Sequence, residues 1–312
     1  MLDNLYDYDS VRHAPAASAL RAIDRQMLHT LATFSDRAHY LYERLDTPRL
    51  VSEALQLASV ELSSSYFDSV RDRLYCAPAD SPSRRAAQHV LDRALDTLTT
   101  AIALVLPFLA GRVHAHLPAG SSRRISPSPF ELLWSAPPAA WSDDRLAHDW
   151  KLVCAARDEA AKLAHEAVLS KRRGSMSEAR IELRSAAGGP LHSALLATGY
   201  ELNDVLLCCA SRVDDLPTSN ATAPGGAADG DTTLLVDALV TAGGGTSGVA
   251  EEALAIRIYA PDASIGKCPR CWRHVHPQAV SGEGIALADG WTYRGCPTDG
   301  AADLCYASHI ER

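Results

Sequence analysis

The chain has 312 residues, of which 47% are hydrophobic and 22% charged, so it holds enough apolar material for more than one packed core and is neither a disordered nor a membrane-embedded sequence. Its net charge of −8 argues against a protein that coats nucleic acid through its overall field. The acidity is local, because residues 186–262 hold 10 acidic and 2 basic side chains, and a phosphate contact is expected outside that stretch.

Taken in chain order, Leu20, Ile23, Met27, Leu31, Phe34, Ala38, Leu41 and Leu45 recur every three or four residues and predict one continuous helical face. Thr47-Pro48 supplies a cap and a first-turn proline for a second long helix, with Val51, Leu55, Ala58, Leu62, Tyr66, Val70 and Leu74 as its stripe. Ser81-Pro82 repeats the signal for a third, carrying Ala87, Val90, Leu91, Ala94, Leu98, Ile102 and Val105 up to Pro107. Three long helices with short joints pack most economically as an antiparallel bundle over residues 1–118. The Pro- and Ser-rich stretch 118–142 reads as a crossing loop. Ser142-Asp143-Asp144 then opens a helix carrying Leu146, Trp150, Val153, Cys154, Leu163 and Val168, closed by Lys171-Arg172-Arg173-Gly174, so that 119–180 pairs a loop with a helix.

Beyond it the period changes. Ile181 to Leu183 and Leu254 to Ile258 alternate, Leu191 to Leu196 fits a short helix and Val205 to Ala210 a buried strand, which predicts a small α/β unit over 181–262. Pro217 to Thr233 and Gly243 to Gly248 lack apolar residues and are expected as disordered insertions. Residues 263–312 are too short to build a core unaided, which is where a metal becomes useful. The fold class expected is mainly α: a helical bundle, a small α/β junction unit and a C-terminal zinc-binding module.

Cys268-Pro-Arg-Cys271 has the two-residue gap that lets two thiolates turn around one tetrahedral ion. Cys296 and Cys305 are the cysteines downstream, with His309 a reserve ligand because Ser308 stands where a closing Cys-x-x-Cys needs a thiol. The metal set is therefore Cys268, Cys271, Cys296 and Cys305. Around the knuckle, Lys267, Arg270, Trp272, Arg273 and His274 offer cations and an indole, the side chains that hold phosphates and stack on unpaired RNA bases, although Trp272 could instead pack under the metal. Arg71 and Arg73 end the second helix while Arg84 and Arg85 open the third, so one turn gathers four arginines for RNA, or for helix-dipole compensation. Lys171 and Arg172 are further phosphate candidates at a helix end. No paired base accompanies Ser63-Ser64-Ser65, and the glycines at 243–248 lack the Lys-Ser or Lys-Thr of a phosphate loop, so no catalytic residue is expected on this chain.

The series Asn4-Leu-Tyr-Asp7, Ile23-Asp-Arg25, Glu61-Leu-Ser-Ser-Ser-Tyr66, Asp72-Arg-Leu-Tyr-Cys76, Ser81-Pro82 and Leu106-Pro-Phe-Leu109 resembles the anticodon-binding helical domain of isoleucyl-tRNA synthetases. Phe130-Glu-Leu-Leu-Trp134, Ala156-Arg-Asp158, Gly174-Ser175 with Ser177-Glu-Ala179, and Gly266-Lys-Cys-Pro-Arg-Cys-Trp272 continue the likeness in the same order. The resemblance implies recognition of tRNA(Ile) at its anticodon side and one structural Zn2+. The signatures of the family's nucleotide-binding catalytic domain are not in this sequence, so the resemblance implies that ATP enters only through polypeptide elsewhere, such as a separate catalytic chain. A mitochondrial matrix or bacterial cytoplasmic setting follows from the same likeness, with neither membrane nor DNA as a partner. The alternative is a free-standing zinc-containing RNA-binding or scaffolding protein without ligase activity.

Overall fold

The computed structural model describes residues 1–118, 120–169, 176–216, 234–242, 252–260, 266–268, 274–276, 285–288 and 290–293. These fall into two units, Met1–Asp144 and Arg145–Arg312. The crossing loop expected at 118–142 belongs to the first and the helix that follows it to the second. No helix among the described residues is long and apolar enough to cross a membrane.

The first unit is a helical bundle of α1 (Ala22–Glu43), α2 (Thr47–Gln56), α3 (Asp68–Tyr75), α4 (Pro82–Ile102) and α5 (Pro107–Ala115). The Arg73 guanidinium reaches both Asp24, near the start of α1, and Ser83, near the start of α4, while Tyr42 near the end of α1 donates to the Ala101 carbonyl near the end of α4. So α1 and α4 run the same way and the chain between them returns, each apolar stripe covering another. Leu31, Ala38, Val70, Ala87, Val90, Leu91 and Ala94 are fully enclosed there.

Two expectations shift. Leu45 does not extend the α1 stripe: it takes the left-handed conformation, φ 57°, that ends the helix, and it is exposed. The second helix is interrupted by a π-helical stretch, Leu57–Phe67, between α2 and α3. Its buried positions are Leu50, Ala54, Leu57, Leu62, Tyr66, Val70 and Leu74, so one five-residue step separates Leu57 from Leu62. Leu55 and Ala58, assigned inward by a 3.6 period, face solvent because the wider turn absorbs an extra residue.

The second unit packs α6 (Asp144–Leu169), α7 (Pro190–Thr198) and α8 (Leu202–Leu206) with a six-stranded mixed sheet ordered β3-β4-β1-β2-β8-β7. The strands are β1 (Arg180–Ser185), β2 (Ala210–Asp215), β3 (Leu234–Ala242), β4 (Glu252–Tyr259), β7 (Ile285–Ala286) and β8 (Thr292–Tyr293); β5 (Gly266–Lys267) and β6 (His274–Val275) form a separate hairpin. Among the described strands only β1 and β2 pair in parallel, joined through α7 and α8. The strand expected at Val205 to Ala210 is corrected: Val205 and Leu206 end a helix and the strand starts at Ala210. Ile181, Leu183, Leu254, Ile256 and Ile258 form one core with an α6 stripe of Leu152, Val153, Ala156, Ala160 and Ala164, whose small side chains let the helix lie close. The insertions expected at 217–233 and 243–248 lie outside the described residues.

Candidate RNA-binding site

The turn between α3 and α4 divides its four arginines. Arg73 is 3% exposed, and its Nη1 and Nη2 donate to the Asp24 carboxylate at 2.9 and 2.7 Å, with Nη2 also reaching the Ser83 carbonyl at 2.8 Å. Tyr66 donates its hydroxyl to the same carboxylate at 2.7 Å. Burial would raise the Asp24 pKa, but the Arg73 charge and these hydrogen bonds outweigh it and hold the carboxyl below its usual range. Arg84, also buried, donates to Asp7 at 2.6 and 3.1 Å and to the Leu74 carbonyl at 3.2 Å. Arg85 bonds the Asp7 carbonyl at 2.8 Å and Gln88 at 2.9 Å. Three of the four therefore bind protein, and Arg73 and Arg84 have no exposed face for a phosphate. Arg71 differs: it is 63% exposed, with Asp68 and Asp72 at 3.8 and 4.0 Å.

Asp7 fastens the N-terminal segment to the first turns of α4. Gln88 Nε2 donates to the Asn4 carbonyl at 2.7 Å and to Asp7 at 2.8 Å, Leu5 and Tyr8 are buried, and the Tyr8 hydroxyl lies 3.1 Å from His89 Nδ1. Burial, helped by the nearby Arg93 charge, pushes His89 down to about 4, so it is neutral at physiological pH.

In the C-terminal part the hairpin β5–β6 pairs Gly266 with Val275 and Lys267 with His274, bracketing the loop of the Cys268/Cys271 pair. Cys268 is buried at one end of that loop, and Lys267 is exposed. The His276 ring, next to β6, stands 4.9 Å from that of Tyr293 on β8. Among the described residues no group of three or more His, Cys, Asp or Glu side chains is placed to hold a metal ion. Cys271, Cys296, Cys305, Arg270, Trp272, Arg273, Lys171 and Arg172 lie outside the described residues.

Against known families, residues 24–175 match the model described as the anticodon-binding domain of tRNA ligase. The match takes in just under half of the chain and runs through the helical bundle, the crossing loop and α6. Among curated proteins, the isoleucine–tRNA ligase of Thermosynechococcus vestitus is 34% identical over 183 residues, 59% of this chain and 19% of that protein. That of Geobacter sulfurreducens is 27% identical over 274 residues, and the mouse mitochondrial isoleucine–tRNA ligase 27% over 288, each aligning with 88–89% of this chain. The chain spans about a quarter of the length of these two relatives, 26% in each case.

Three features were not foreseen. On α1, Tyr40 has the guanidiniums of Arg37 and Arg44 at 5.1 and 4.9 Å from its ring, a pair of cation–π contacts whose members stand three and four residues away on the helix. A cavity of about 320 Å³ opens between α1, the end of α4 and the crossing loop, walled by His39, Tyr42, Phe130 and Trp134. Its polar groups are used internally: the Trp134 indole donates to Ser35 at 3.1 Å and Arg123 pairs with Asp96 at 2.6 Å. The third is a charged network on the β1-β2-β4 sheet. The fully buried Glu182 carboxylate accepts from Tyr259 at 2.6 Å and pairs with Arg212 at 3.0 Å and with Arg184. Burial opposes its ionisation, yet these donors bring its pKa down to about 2. Arg180 and Arg212 each lie 5.1 Å from the Trp291 ring. Strand alternation in this segment gave no hint of it, since the partners come from three strands.

Proposed function

We propose that this chain recognises the anticodon side of tRNA(Ile) as the C-terminal part of an isoleucine–tRNA ligase, with amino-acid activation and transfer carried by polypeptide outside these 312 residues. The observation that carries the reading is the agreement of two independent matches. The family match covers the bundle with its internally braced turn, and isoleucine–tRNA ligases align with the chain from the bundle through the sheet unit. A rigid bundle suits this role: it holds one end of a folded RNA so that the other end reaches a distant reaction centre. Selectivity would come from polar groups that a wrong base leaves unpaired.

One structural Zn2+ held by Cys268 and Cys271 with Cys296 and Cys305 would fix the loop that displays Arg270, Trp272 and Arg273. The hairpin bracketing the first pair supports this set. When bound, the ion supplies folding energy to a segment with little core of its own. Lys267, Arg270 and Arg273 would take phosphates and Trp272 a base.

Filter binding of tRNA transcripts to the full chain at 50 and 200 mM salt tests the recognition. Tighter binding of the isoleucine transcript than of other tRNAs, weakening as salt rises, is expected. Equal affinity for every tRNA would remove the isoleucine assignment, and a free-standing RNA-binding module would then be the better account. Metal analysis of the purified protein should return one zinc per chain, lost in Cys268→Ala.

A further inference from the structure

Arg73, Arg84 and Arg85 turn their charge inward, so the outer surface of the α3–α4 turn is made by other side chains. Tyr6 and Tyr75 are 75% and 65% exposed there. The Asn4 side-chain amide donates to the Tyr75 hydroxyl at 3.4 Å, which ties the N-terminal segment to the end of α3. Arg71 stands one helical turn before Tyr75 on the same face.

Both rings project from pinned backbone. Tyr6 sits between the buried Leu5 and Asp7, and Asp7 accepts from Arg84 and Gln88. Tyr75 follows Leu74, a buried residue whose carbonyl accepts from Arg84. One arginine thus braces the supports of both tyrosines. A surface assembled this way keeps its rings in place before a ligand arrives, which lowers the ordering cost of binding. Asp68 is half exposed beside Arg71, and Asp80, 95% exposed, pairs with Arg85, so the cations near the rings are already matched by carboxylates and what the turn offers a ligand is ring face.

We propose that Tyr6 and Tyr75 form a stacking platform for unpaired nucleobases of the bound tRNA, a contact of ring faces rather than a phosphate clamp. It rests on the tRNA reading above and assigns part of the recognition to side chains that a count of cations overlooks. Aromatic faces stack any base, at roughly 5- to 150-fold in affinity for each base held.

The test uses the full chain and an isoleucine tRNA transcript with 2-aminopurine in the anticodon loop. Binding to the unaltered protein should change the fluorescence of the probe. Tyr75→Ala and Tyr6→Ala should each weaken binding at least fivefold and shrink that change, leave the salt dependence as it was, and keep the thermal midpoint, since neither ring is buried. Tyr75→Phe should bind like the unaltered chain. If Tyr75→Phe binds as poorly as Tyr75→Ala, the contact is the hydroxyl and stacking is overturned. If the double variant Tyr6→Ala/Tyr75→Ala binds within twofold of a protein that does bind tRNA, the platform is overturned and the tRNA reading stands. If the unaltered chain binds no tRNA, both fall.

Discussion

Asp24 in the bundle and Glu182 in the sheet unit are the same chemical arrangement in two settings. Each is a fully buried carboxylate bonded by one phenol and by guanidinium, and each is held below its ordinary pKa against the effect of burial. Their partners differ. The guanidinium on Asp24, that of Arg73, is enclosed to 3% exposure and also ties α1 to α4 through Ser83. Glu182 divides itself between Arg184 and Arg212, exposed to 25% and 22% on the sheet face. Identical groups therefore make an all-or-none bolt in one unit and a divisible network in the other. The number of partners and their access to water decide which.

Arg73→Ala should draw the sharpest line between the two. It leaves the buried Asp24 carboxylate the Tyr66 hydroxyl and the Arg21 N–H and should cost about 3–5 kcal/mol in urea unfolding, whereas Arg212→Ala, which leaves Glu182 the Arg184 cation as well as the Tyr259 hydroxyl, should cost about 1–2 kcal/mol. Equal losses would break the comparison. Acid should separate the units next. His89 in the bundle, lowered to about 4, takes up a proton more readily once unfolded. Stability of that unit should fall as pH drops from about 6.5 to 4, by up to about 3 kcal/mol. Glu182, lowered to about 2, keeps its contribution until pH falls below about 4.5 and loses it towards 2. Denaturant titrations at pH 7 and 4.5 should show the first loss, and His89→Gln should abolish it. Removing a single hydroxyl probes the same contrast on a smaller scale: Tyr66→Phe should cost about 2 kcal/mol and Tyr259→Phe about 1 kcal/mol in the same assay. Arg71→Ala, which removes a solvated side chain, should change unfolding by less than about 0.5 kcal/mol.

The helical stripes of α1 and α4 were legible because packing repeats every three to four residues, and of the stripe expected for α1, Ile23, Met27, Leu31, Phe34, Ala38 and Leu41 are buried while Leu20 is half-buried and Leu45 exposed. The run Val205 to Ala210 was not, since a short apolar stretch is equally a strand or a helix end until its neighbours are known. The arginine turn shows the limit most clearly. Sequence placed the four cations together but could not say which way they point, because Asp24 and Asp7, the carboxylate residues that turn three of them inward, lie 49 to 78 positions away along the chain. The exposure of Tyr40 and Tyr75 could not be read from the sequence either, because it depends on which neighbours pack against each ring.

The wide turn at Leu57–Leu62 carries a geometric consequence for reading this helix. One added residue rotates everything after it by about 100° relative to an uninterrupted α-helix. The direction of a side chain in α2 therefore does not predict the direction of one in α3 by counting. Leu55 and Val60 look outward while Leu62 and Tyr66 look inward, and the two halves must be assigned separate angular origins before a contact on one is used to infer a contact on the other.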